Sequence, residues 1–237
     1  MVDSLDANVG RLIDYLKATD QYDNTFIVFL ADNGAEGADR NPGDNGTDWT
    51  FDNSLENMGR VGSHIYYGAE WAQAGVGVGR YYKAYASEAG TRAPAIIHYP
   101  AADASLAGKH SDAFISVVDI APTLLDLAGI EQATTNRYGD PVKPMTGVSW
   151  VPFMAGESST VRPEGFTFGW EVFGHQAIRK DDWKLLRMSS TPAERGQAVS
   201  GVQDADFWGL YNMKTDPGEV NDLSAEHPEI VADLLAE

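Results

Sequence analysis

Thr25-Phe26-Ile27-Val28-Phe29-Leu30-Ala31-Asp32-Asn33-Gly34 is the stretch that decides how this chain is read. Phe26–Ala31 is an unbroken apolar run, rich in β-branched and aromatic side chains, with Asp23-Asn24 before it and Asn33-Gly34 after it. Its length and flanks predict a strand buried on both faces, a central member of a parallel sheet. Asp32 and Asn33 stand where that strand ends, and open α/β sheets bind ligands at the carboxyl ends of their strands. Both residues offer hard oxygen donors, and Gly34 lets the backbone turn sharply away. Asp-Asn-Gly is also ordinary turn chemistry, and the tripeptide alone favours a plain turn.

Working outward, Val2, Leu5, Val9, Leu12, Ile13 and Leu16 recur at helical spacing and predict an amphipathic helix with one buried stripe. A helix followed by a buried strand is half of a βαβ unit, so the chain reads as cut inside such a unit. From Ala35 to Gly79 the sequence is rich in Gly and Asx, and Trp49, Phe51, Tyr66, Tyr67 and Trp71 point to an ordered, functional loop. Ala95–Tyr99 reads as a second buried strand between Pro94 and Pro100, and Phe114–Ala128 as an apolar helix closed by Gly129. After Thr146 the texture changes to short strands at Phe166–Trp170, Gln176–Arg179, Trp183–Arg187 and Phe207–Met213. A closing helix over 227–235 has Pro228 in its first turn. The expected organisation is thus residues 1–145 in an α/β domain and 146–237 in an antiparallel β subdomain with a closing helix.

Composition bounds the partners. The 237 residues are 43% hydrophobic and 11% aromatic, as in an ordinary globular protein. Thirty-five acidic against 17 basic residues give a net charge of −18, which argues against nucleic acid or an anionic membrane as a partner. An anionic small molecule would therefore need local positive charge to hold it. The chain has no cysteine, which removes disulfides and thiolate chemistry. Its acidic, amphipathic start is not a secretory signal, and the compartment, periplasmic or cytoplasmic, stays open. The five histidines are dispersed, with none at i+3 or i+4 from another, so a histidine metal cluster is not expected.

Three stretches carry a resemblance. They are Phe29–Gly34, then Lys83 to Pro94 with its Glu88-Ala89-Gly90-Thr91-Arg92 core, then Asp119 to Gly129 with Pro122 and Thr123. In this order, and followed by Ala177–Lys184 and by Leu210–Glu219, they resemble the second half of a sulfatase of the alkaline phosphatase superfamily. Bacterial arylsulfatases are the most similar subgroup. The resemblance implies a partial α/β/α sandwich of the alkaline-phosphatase type carrying a C-terminal antiparallel sheet plus helix. It further implies a calcium ion held partly by Asp32 and Asn33, and a catalytic, substrate-binding lysine, Lys83, on the sulfate and its leaving oxygen. The physics agrees: calcium takes several oxygen ligands, and a cation stabilises charge that builds on a bridging oxygen. Glu88 and Arg92 would position the Lys83 loop, with Ala89 standing where the family usually has a glycine.

The family's nucleophile is a formylglycine made within a Cys/Ser-x-Pro-x-Arg motif, and this sequence contains no such motif. The expectation is therefore a C-terminal half that serves sulfate ester hydrolysis only together with a missing N-terminal half. The competing readings are a non-catalytic metal- or anion-binding remnant, and part of a phosphonate or phosphodiester hydrolase of the same superfamily.

Overall fold

The apolar run beginning at Phe26 does form a strand, but its partner runs the other way. In the computed structural model, which describes residues 2–37, 51–66, 68–188 and 208–237, β1 (Ile27–Leu30) pairs antiparallel with β2 (Ala95–His98), Ile27 opposite His98 and Leu30 opposite Ala95. This corrects the expectation of a parallel sheet. An apolar run reports burial and length but not direction, and antiparallel pairing satisfies the same backbone groups. Ile96 is 67% exposed and Phe29 42% exposed, so neither strand is buried on both faces.

The remaining elements are α1 (Val2–Ala18), α2 (Gly68–Gly75), α3 (Glu88–Thr91), α4 (Ile120–Leu127), α5 (Val151–Met154), β3 (Thr167–Val172), β4 (His175–Lys180), β5 (Trp183–Arg187), β6 (Trp208–Asn212) and α6 (Pro228–Ala236). Trp49, Tyr67 and Phe207, named above, lie outside the described residues. The chain divides into two compact units, Met1–Leu30 with Ala95–Glu164, and Ala31–Pro94 with Gly165–Glu237.

In the first unit, α1 has Asp3 in its first turn and Lys17 in its last, matching the helix dipole. None of its residues is buried, so the expected buried stripe is not observed. The centre of this unit is Asp119, fully buried just before α4. Its carboxylate accepts two bonds from Arg162 Nη2 at 2.7 and 2.9 Å, and the backbone amides of Ser116 at 2.7 Å and Val148 at 2.9 Å. Trp150 N donates to Thr123 Oγ1 at 3.0 Å, tying the segment before α5 to α4. A carboxylate so fully engaged is a structural tie rather than a reacting group.

The second unit is built on a four-stranded antiparallel sheet in the order β3-β4-β5-β6. Successive residues alternate between its faces. Leu185 and Leu210 meet Ile230, Val231 and Leu234 of α6 on one side. Ala177, Leu186 and Tyr211 meet Tyr85 and Ala86 on the other. Asp181, with a φ of 53°, makes the tight turn between β4 and β5.

Candidate functional site

The segment leaving β1 lies against the loop that carries Lys83, all within the second unit. Lys83 N donates to Ala35 O at 2.9 Å, and Gly34 N donates to Gly90 O at 2.9 Å. These two bonds bring the Asp32–Glu36 segment and the Lys83–Gly90 segment side by side. The approach is close enough to require glycine: a Cβ on Gly34 would collide with the Ala89 carbonyl, and one on Gly90 with the carbonyls of Tyr82 and Tyr85. Lys83 sits between two residues in left-handed conformation, Tyr81 with φ 62° and Ala84 with φ 79°. Each is costly for a side chain with a Cβ, and strain of this kind gathers at functional loops.

Asp32 is exposed and Asn33 half-buried. Asn33 Nδ2 donates one of its two N–H groups to Gly34 O at 2.8 Å, which leaves Oδ1 as an acceptor. A carboxylate and a carboxamide oxygen suit a hard cation in kind. Among the described residues, no group of three or more His, Cys, Asp or Glu side chains is placed to hold a metal ion. Lys83 Nζ pairs with Glu36 Oε2 at 3.0 Å, with the lysine side chain 44% exposed. An exposed pair of this kind is weak and screened, so an incoming anion can compete for the ammonium. Sequence reasoning overlooked Glu36, which lies 47 residues from its partner.

Beneath this loop lies a buried ionic cluster. Lys184, on β5, has its Nζ 3.0 Å from Glu88 Oε1 and 2.7 Å from Glu219 Oε1, and over the Trp170 ring at 5.0 Å. Lys184 and Glu219 are fully buried, and Glu88 nearly so. Burial pushes the Glu219 carboxyl above its ordinary value, against the pull of Lys184 and the Glu88 amide. Arg92 Nη1 lies 3.8 Å from Glu88 Oε2, the ion pair expected from their spacing. Lys184 was legible only as a member of a motif. The overlooked signal was the alternation along β5, which puts it on the same face as Leu186.

His98 and His175 are packed against rings. His98 stacks on Tyr22 at 4.3 Å between ring centres, and His175 on Tyr85 at 4.9 Å. Burial holds His175 below its ordinary 6.5. The unfolded chain therefore binds more protons than the folded one as pH falls below 6.5, and stability should decline there. His175→Phe keeps a ring against Tyr85 and removes the titration. Urea unfolding between pH 7.5 and 5 should show a flatter acid-side decline in this variant, and identical slopes would contradict the assignment.

A solved structure concerned with the metabolism of multiple glycosaminoglycans by Bacteroides thetaiotaomicron superposes with a TM-score of 0.65 at 23% identity. It covers 98% of this chain and 42% of that one. The two share a fold. The family model Sulfatase matches residues 1–130, and the model for the C-terminal part of N-sulphoglucosamine sulphohydrolase matches residues 77–237. The chain belongs to the sulfatase family. It is 38% identical to an uncharacterized sulfatase of Schizosaccharomyces pombe over 99% of its own length and 41% of the relative's. It is 36% identical to an arylsulfatase of Klebsiella aerogenes over 63% of its length and 32% of the relative's.

These matches correct the expectation of a C-terminal half carrying only a partial fold. Residues 1–130 themselves match the Sulfatase model, and the two family regions together take in the whole chain. A region that matches the Sulfatase model is thus present in this chain from its first residue, not missing as expected. The expectation rests on a helix and strand read as a cut βαβ unit and on an absent motif, and an absent motif speaks to chemistry rather than to which domains are present. The chain spans 41% and 32% of the lengths of these two curated relatives. Among the described residues, no helix is long and apolar enough to cross a membrane.

Proposed function

We propose that the chain serves sulfate ester hydrolysis of the arylsulfatase type, with Lys83 binding the sulfate group and its leaving oxygen and with Asp32 and Asn33 as calcium ligands. In this reading residues 1–145 contribute to the catalytic α/β domain and 146–237 form the C-terminal subdomain. The observation that carries it is the pairing of the two segments, Lys83 N on Ala35 O and Gly34 N on Gly90 O. The same segments bear the family's motifs. Calcium, when bound, would supply positive charge that draws in sulfate oxygens. Lys83 contributes a mobile point charge on an exposed stem, able to leave Glu36 and follow negative charge as it develops. Asn33, its amide held by Gly34, presents a fixed oxygen.

A second reading has its own support. The sequence holds no cysteine and no Ser-x-Pro-x-Arg motif, so these residues supply no nucleophile for attack on sulfur. The chain would then bind the anion and the cation without turnover. We expect negligible hydrolysis of an aryl sulfate reporter by the purified chain with calcium. Turnover that stays constant per mole through successive purification steps would overturn that expectation and assign the chemistry to a group within the chain.

A further inference from the structure

We propose that Glu219 and Lys184 are positioning residues for Lys83, clamping the two ends of the 80–88 loop so that its apex holds the lysine in place. This rests on the reading of Lys83 as the sulfate-binding cation.

The loop is closed at its base by one residue. At its start, Arg80 Nη1 donates to the Glu219 backbone oxygen at 3.2 Å. At its end, the Glu88 amide donates to Glu219 Oε2 at 3.1 Å. Ser87 Oγ crosses the base to the Arg80 carbonyl at 2.7 Å. Glu219 is anchored in turn by Lys184, which also takes the Glu88 carboxylate, so β5 is bound to both sides of the closure. Above this base the chain passes through the left-handed residues Tyr81 and Ala84 on either side of Lys83. A loop held in that form would relax if its ends were free, because the strain persists only where the surroundings over-determine it.

The chemical choice at this base is informative. Well-packed apolar residues commonly match or exceed the stability of a buried ionic group, so stability alone does not call for two carboxylates and a lysine there. An ionic cluster gives direction as well as contact. One Glu219 carboxylate faces Lys184 with one oxygen and the Glu88 amide with the other, and this fixes the rotation of the loop end. Glu219 stands 131 residues from Glu88, so the clamp forms only when β5 and the 216–219 turn are in place. Anion recognition at Lys83 is thereby tied to folding of the C-terminal sheet.

The test compares Glu219→Gln, Ser87→Ala, Lys83→Met and the double variant Lys83→Met/Glu219→Gln with the unaltered chain. Glu219→Gln keeps shape and an acceptor for the Glu88 amide while leaving a neutral Lys184–Glu88 pair, and so should fold. Ser87→Ala cuts the crossing bond without touching the ionic cluster. Two quantities are read: amide hydrogen exchange at Lys83 and Tyr85 relative to Leu185 and Leu186, and the affinity for inorganic sulfate by titration. In Glu219→Gln, exchange at Lys83 and Tyr85 should rise about tenfold relative to β5, and sulfate affinity should fall several-fold. Ser87→Ala should move both the same way by less, and it decides the matter if Glu219→Gln fails to fold. In the Lys83→Met background the sulfate effect of Glu219→Gln should vanish, which a merely stabilising role would not produce. If Lys83→Met alone weakens sulfate while Glu219→Gln and Ser87→Ala leave loop exchange and affinity unchanged, the clamp is wrong. Additive losses in the double variant would overturn it as well. If Lys83→Met leaves sulfate affinity unaltered, the reading of Lys83 is what fails, and the positioning role fails with it.

Discussion

Lys184→Met is expected to destabilise the chain by about 3–5 kcal/mol, the usual consequence of removing one member of a buried charge group. The side chain is fully buried, and its ammonium lies 2.7 Å from Glu219 and 3.0 Å from Glu88. Methionine matches its length but leaves two carboxylates facing each other in a site with little water. One of them must then hold a proton that it lacks in the unfolded chain, so the variant should lose stability as pH rises and regain part of it as pH falls towards the ordinary carboxyl range. The cure is equally specific. Adding Glu88→Gln and Glu219→Gln to Lys184→Met removes the uncompensated charge and should recover much of the loss. Urea unfolding midpoints of the parent, Lys184→Met and the triple variant measure both effects. If Lys184→Met alone stayed within about 1 kcal/mol of the parent, as at an exposed pair, the buried cluster would not be as described.

Gly90→Ala is expected to cost about 3 kcal/mol or more, at the upper end of overpacking effects, because the obstruction is backbone on two sides. A Cβ at this position would meet the carbonyl oxygens of Tyr82 and Tyr85, and neither can rotate away as a side chain would. Relief requires the Lys83 loop to lift, which would also break the bond from Gly34 N to Gly90 O. The control is Gly10→Ala in the middle of α1. Nothing lies within 4 Å of a Cβ there, and alanine should stabilise the helix by about 0.5–1 kcal/mol. Opposite signs at the two glycines in the same denaturation experiment would separate close packing from helix propensity. A neutral Gly90→Ala would mean that the two segments do not approach as closely as their hydrogen bonds indicate.

The local layer of this fold was legible. The strands β3 to β6 and helix α6 stand close to where alternation, turn residues and Pro228 placed them, because hairpins and short helices are determined by near neighbours. The direction of β1 against β2 was not legible. Sixty-four residues separate Leu30 from Ala95, and an apolar run says nothing about how its partner returns. Domain extent is not legible for a different reason: neither an apparently cut βαβ unit nor the absence of one catalytic motif reports which family region the first 130 residues belong to. At the candidate site, Asp32, Asn33 and Lys83 stood out because motif order survives in sequence. Glu36, Lys184 and Glu219 did not. Their roles arise from contacts between segments tens of residues or more apart, and a lysine or glutamate at an inward strand or turn position looks like any surface charge until its register is known.

The most direct test of the proposed function is calorimetric titration of an aryl sulfate into the purified chain, with calcium and with calcium removed by chelation, for the parent, Asp32→Ala and Lys83→Met. A charge-assisted bond to sulfate is worth about 1.5–3 kcal/mol, so Lys83→Met should weaken binding at least tenfold. Removing calcium should weaken it comparably in the parent, and should have little further effect in Asp32→Ala. Binding that is indifferent to calcium and unchanged in both variants would contradict the account.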